Sequence, residues 1–98
     1  MHLIIGEMHG PDTYYNMETG TPRVGNWFWT ELREDGRKVR LNLCVGVLTY
    51  ADMSRRFSHV DEVIKERALR YVENRLKQSW TPQDGVEIVL TERELDAL

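Results

Sequence analysis

The stretch Trp27-Phe28-Trp29-Thr30-Glu31-Leu32-Arg33-Glu34-Asp35-Gly36-Arg37-Lys38-Val39-Arg40-Leu41-Asn42-Leu43-Cys44 decides how this chain is read. Asp35-Gly36 stands between two runs in which apolar and polar residues alternate, a strong short-range signal for a β-hairpin. A two-residue turn predicts that Glu34 faces Arg37. Counting outward, Leu32 faces Val39, Thr30 faces Leu41 and Phe28 faces Leu43, all on one face. The other face carries Arg33 with Lys38, Glu31 with Arg40, Trp29 with Asn42 and Trp27 with Cys44. The first face suits a core. The second is charged near the turn and aromatic farther away. A slip of one residue would exchange the two faces, so the structural reading turns on this register.

Outward from the hairpin, Leu3 to Met8 reads as a short aliphatic first strand, and Gly10-Pro11-Asp12 as a turn signal. Residues 10–26 read as a long irregular N-terminal loop containing Tyr14 and Tyr15, with a short strand over Thr13–Met17 as the alternative. The second hairpin strand is expected to run into Val47-Leu48-Thr49. Thr49-Tyr50-Ala51-Asp52 resembles a capping box and predicts a short helix near 50–57. Ser58 or Asp61 then caps a long helix over 60–77, with Ile64, Ala68, Tyr71, Val72 and Leu76 on one side. Glu66–Arg70 and Glu73–Lys77 are oriented as stabilising pairs one turn apart, and Arg75 falls toward the apolar side. After the turn at Asp84-Gly85, Val86 to Leu90 reads as a strand. Thr91-Glu92-Arg93-Glu94 is a full capping box that predicts a short helix near 92–97. The expected fold is α+β: an antiparallel sheet of three to five strands with the long amphipathic helix packed across one face.

This order of pieces resembles a family of short bacterial proteins of unknown function. The likeness is carried by Asp35-Gly36-Arg37-Lys38-Val39, by Leu48-Thr49-Tyr50-Ala51-Asp52-Met53 and by Asp84-Gly85 through Leu90-Thr91. It covers about the last two-thirds of the chain, and the tyrosine-bearing N-terminal segment departs from it. The resemblance implies a compact α+β domain and brings no catalytic residue. A looser likeness, in element order alone, is to antitoxin-type domains with a three-stranded sheet and a crossing helix.

Composition narrows the function classes. Ninety-eight residues, 41% hydrophobic and 30% charged, support one domain over 1–98 with one core. Thirteen basic against sixteen acidic residues give a net charge of −3, opposite to the balance of a non-specific DNA coater. Cys44 has no second cysteine to pair with, so the fold does not call for an oxidising compartment. No apolar run approaches the roughly 20 residues that span a bilayer, and Met1-His2-Leu3-Ile4-Ile5 lacks a secretory pattern. The expectation is a cytoplasmic protein.

The search for chemistry leaves no catalytic constellation and no cofactor loop. Glu7, His9 and Asp12 sketch a carboxylate–imidazole set, but no recognised metal-ligand spacing accompanies them. Cys44, opposite Trp27, reads as a buried inert thiol, and Glu62 with Glu66 as part of a solvated acidic stripe. Arg55, Arg56, Arg67 and Arg70 are the candidate patch for an anion or nucleic acid, although the long helix opens on Asp61-Glu62, which repels phosphate. Trp27, Trp29, Tyr14 and Tyr15 are the candidate interaction surface. Two indoles on a sheet face each carry some 150–250 Å² to be covered, either by the N-terminal segment or by a partner. The function expected is a non-enzymatic protein-interaction or regulatory module without cofactor or metal. It would self-associate as a homodimer or bind another protein, with a nucleic-acid-associated or antitoxin-like regulator as the alternative.

Overall fold

The computed structural model describes residues 2–15, 20 and 22–96. Around the Asp35-Gly36 turn, β3 (Pro22–Glu34) and β4 (Arg37–Gly46) pair antiparallel in the expected register, from Glu34 opposite Arg37 to Trp27 opposite Cys44. Both turn residues have positive φ, 49° at Asp35 and 77° at Gly36. That combination matches a turn whose twist suits the flanking strands, and it explains why Asp-Gly sits there. The pairing continues to Gly25 opposite Gly46. A side chain at Gly25 would place its Cβ 2.4 Å from the Val45 carbonyl oxygen, so only glycine permits this approach.

The stretch expected to be irregular is largely strand. β1 (His2–Ile5) and β2 (His9–Tyr15) lie end to end along the free side of β3, the first against Thr30–Arg33 and the second against Pro22–Trp27. Of the loop expected over 10–26, residues 10–15 belong to the edge strand β2 and 22–26 to β3, and residues 16–19 and 21 lie outside the described residues. The turn signal at Gly10-Pro11-Asp12 marks a register shift within β2 rather than its end. An edge position leaves one side of the backbone unpaired, so proline is tolerated there. Of the alternative strand over Thr13–Met17, the first three residues belong to β2, and residues 16 and 17 lie outside the described residues.

Two helices separate β4 from β5 (Val86–Leu90): α1 (Val47–Arg56) and α2 (Val60–Lys77). β5 pairs parallel to β4, from Leu41 opposite Val86 to Val45 opposite Leu90. The sheet is mixed, and its expected all-antiparallel character is corrected at this one junction. The reason is the crossover. An α2 of 18 residues carries the chain about 27 Å back along the sheet before β5 begins. Asp84 and Gly85 then seat β5 beside β4: Arg40 N–H donates to Asp84 Oδ1 (2.8 Å) and Gly85 N–H to the Arg40 carbonyl (2.7 Å).

The inward face holds Phe28 and Leu32 from β3, Leu41, Leu43 and Val45 from β4, and Ile88 and Leu90 from β5, all buried. Met53 of α1, Ile64, Ala68 and Val72 of α2 and Leu95 of α3 (Glu92–Asp96) join the same apolar cluster. Tyr71 and Leu76 pack at its margin. Arg75, the polar intruder on that side of α2, lays its guanidinium 4.3 Å from the Trp80 ring centroid and so remains at the core edge.

Two caps differ from expectation and one agrees. α1 starts at Val47 with Gly46 as N-cap, so Thr49 lies inside the helix and caps nothing. β4 leaves the sheet at Gly46, while β3 runs on to Pro22 against β2. The N-cap of α2 is His59, without a side-chain capping bond. Asp61 instead accepts a hydrogen bond from the Tyr50 hydroxyl at 2.5 Å, which ties the α1–α2 corner and pushes the phenol up to about 12. At α3, Thr91 Oγ1 does accept from Glu94 N–H (3.3 Å), the first half of the expected box, while Glu94 Oε2 is buried without a hydrogen-bond partner.

Candidate interaction surface

The face of the hairpin turned away from the helices carries Trp27 and Trp29, both half-buried. Their cover comes from the segment joining β1 to β2. Gly6 N–H donates to the Trp29 carbonyl (2.8 Å), and a Cβ on Gly6 would lie 3.0 Å from the Trp29 ring. The imidazole of His9 lies over Trp27 with centroids 4.5 Å apart. Arg40 from β4 sets its guanidinium 5.1 Å from the Trp29 ring. The N-terminal segment thus covers part of the indoles, through Gly6 and His9. The side chains of Tyr14 and Tyr15 lie outside the described residues, although their backbone places them opposite Arg23 and Pro22 in β2.

Cys44 is buried on this same face, and its thiol donates to Glu87 Oε1 across the β4–β5 pair at 3.6 Å. Among the described residues no three His, Cys, Asp or Glu side chains gather as a metal site. Glu7 lies in the link between two strands, and the ring of His9 is engaged with Trp27.

One feature of this region was missed from sequence. Among the described residues, the large exposed apolar ones are Val24 (60%), Val47 (45%), Leu48 (80%) and Val89 (47%). Register places all four toward one end of the sheet, Val89 on the face of Trp27 and Val24 on the face of Phe28. Val24 precedes the Gly25–Gly46 pair, Val47 and Leu48 follow it, and Val89 lies opposite Cys44. β3 and β5 flank β4, so about 10 Å separates their axes. The opposite end is the charged hairpin tip with Glu34, Asp35, Arg37 and Lys38. The sequence places Val47-Leu48 at the end of a strand, where alternation turns one of them inward. The early start of α1 exposes both.

The four candidate arginines are not gathered into one patch. Arg55 pairs with Asp52, and Arg70 with Glu66 at 2.5 Å. Arg56 and Arg67 do come together, on opposite sides of an acidic clasp. Arg56 donates to Glu92 Oε1 (2.8 Å) and to both oxygens of Asp96 (2.8 and 3.1 Å). Arg67 donates to Asp96 Oδ1 (2.6 Å), and both guanidinium carbons lie within 5.1 Å of the Phe57 ring centroid. The clasp fastens α3 to α1 and α2. Its acidic partners were not legible, because Glu92 and Asp96 lie 36 and 40 residues beyond Arg56.

Hydrogen bonds from Arg56, joined by Arg67, hold the Asp96 carboxyl below its ordinary 3.8, and the same bonds raise Arg56. A lowered folded-state value means that the contribution of Asp96 is complete above the ordinary carboxylate range. It is lost as pH falls through the folded value. Protection of the α3 amides, relative to the exchange of an unfolded chain at the same pH, is therefore expected to fall as the pH drops below the ordinary carboxylate range in the native chain. In Asp96→Asn that protection should be low already at neutral pH. Equal protection of α3 in both proteins at neutral pH would remove the clasp from the account.

The chain matches no family model, no curated protein and no solved structure. Among the described residues, no helix is long and apolar enough to cross a membrane.

Proposed function

We propose that this chain is a non-enzymatic interaction module of the cytoplasm that binds a protein through the indole-bearing sheet face and the apolar end adjoining it. The observation that carries the reading is the exposure of Val89 in the same outward-facing row as Cys44 and Trp27, with Val47 and Leu48 exposed just beyond the end of β4. Scattered surface aliphatics need no explanation, whereas a grouped set next to half-buried indoles is the pattern of a contact surface. The regulator reading built on Arg55, Arg56, Arg67 and Arg70 draws no support from their surroundings, since each is paired with a carboxylate of its own chain.

The test compares the native chain with Leu48→Glu and with the double variant Trp27→Ala/Trp29→Ala. Molar mass by light scattering and stoichiometric capture from native lysate are read side by side. Leu48 is the most exposed of the apolar group, so its variant should keep the native circular dichroism and melting temperature. Both variants are expected to lose the assembly or the captured protein. Unchanged mass and unchanged capture in both would end the proposal.

A further inference from the structure

We infer that the partner is a second copy of this chain, joined edge to edge by antiparallel pairing of β5 with β5 of the copy; this rests on the interaction reading above for Val47, Leu48 and Val89, and the indole face lies outside the joint. The argument begins with the two edges of the sheet, which are protected very differently. The β1/β2 edge is broken at Gly6–Met8, shifted in register between His9 and Asp12, and interrupted by Pro11. Breaks, bulges and proline are the devices that stop one edge from pairing with another. β5, Val86-Glu87-Ile88-Val89-Leu90, has none of them. It contains no proline, glycine or lysine, and four of its five residues are aliphatic with three β-branched. Its single charge does not guard the edge, because the Glu87 carboxylate accepts from Cys44 of the adjoining strand. Among the described residues, no strand pairs with the side of β5 away from β4. α3, which follows directly, is drawn toward α1 and α2 by Leu95 and the Asp96 clasp.

A strand edge selects an extended backbone as its occupant. A second copy fits because antiparallel pairing about a twofold axis presents the same edge to itself and closes at two chains. With the axis at Ile88, Val86 lies opposite Leu90 of the copy and Glu87 opposite Val89. The two Glu87 carboxylates do not face one another, so the register carries no like-charge pair. Both exposed Val89 side chains gain cover. A five-residue edge is small beside the about 800 Å² that each partner buries in a typical stable interface. Val47 and Leu48, at the end of the sheet where β5 finishes, supply further apolar surface to the same contact. The outcome is one continuous sheet across the twofold, with the proline-bearing β1/β2 edges at its outer margins.

The experiment measures molar mass over a concentration series for the native chain, Val89→Lys and Thr13→Lys, the last placing the same charge on the protected edge. Amide exchange of β5 is followed over the same series. The native chain should dimerise with rising concentration, and its β5 amides should gain protection in step. Val89→Lys should weaken the dimer at least tenfold, and Thr13→Lys should leave it unchanged. A dimer whose β5 amides do not respond and which tolerates Val89→Lys overturns the β5 joint. If that dimer is lost in Trp27→Ala/Trp29→Ala, the broader interaction reading survives. A native chain that stays monomeric also overturns the joint. The broader reading then stands if a captured protein is lost in Leu48→Glu, and falls if nothing is captured.

Discussion

Exchanging Phe28 for alanine is expected to remove about 3–5 kcal/mol of folding stability. Phe28 is 0% exposed and lies on β3 opposite Leu43, in the cluster that unites β4, β5 and all three helices. Truncation there loses the transfer free energy of the ring and leaves a cavity bounded by strands that cannot collapse without breaking their ladders. A small domain holds only about 5–15 kcal/mol in total, so the variant should unfold at a much lower urea concentration, read by far-ultraviolet circular dichroism. Trp29→Ala is the informative comparison. Trp29 is the next residue and larger, but it faces outward beneath Gly6 and Arg40. Its loss should be roughly half as great or less, in the range of an ordinary partly exposed substitution. A greater loss at Trp29 than at Phe28 would mean that the faces of the hairpin are exchanged.

Leu95→Ala is expected to cost about 2–5 kcal/mol, a large effect for a residue in a five-residue helix. Leu95 is fully buried in the shared cluster. A helix that short cannot sustain itself in water, since nucleation alone outweighs its few hydrogen bonds. α3 therefore exists because Leu95 is seated and because Asp96 lies between Arg56 and Arg67. Loss of the side chain should be seen as lower stability in urea and as fast exchange of the α3 amides. Stability equal to that of the native chain would show α3 to be an appendage to the core rather than part of it.

The hairpin and α2 were legible because each is governed by rules that act over a few residues. Asp35-Gly36 sets a turn with positive φ at both positions, and that turn carries the register through to the Trp27–Cys44 pair. In α2, apolar residues at helical spacing run from Ile64 to Leu76, so its span is read without knowing what it packs against. β2 was obscured by local rules of the same kind. Gly10, Pro11 and Asp12 are turn residues in isolation and become strand residues only because β3 offers them an edge. The start of α1 differs from the capping-box reading for a related reason: β4 parts from β3 at Gly46 while β3 continues to Pro22, a departure that no residue near Thr49 marks. The candidate surface was half legible. The indoles followed from the register, whereas the apolar end depended on where β4 stopped and how β5 returned.

By itself the amino-acid sequence determined the α+β class, the tight reversal that turns Phe28, Leu41 and Leu43 inward, the long helix and the Thr91 cap. Turn geometry, side-chain alternation and capping are local, and their energies are set by neighbours along the chain. Only the tertiary structure decided that β5 runs parallel to β4, that His9 and Gly6 cover the indoles, and that Asp96 clasps Arg56 and Arg67. Each of these joins residues about 20 to 45 positions apart, and only the closing of the core, with its choice of which edges and charges meet, selects among such pairings.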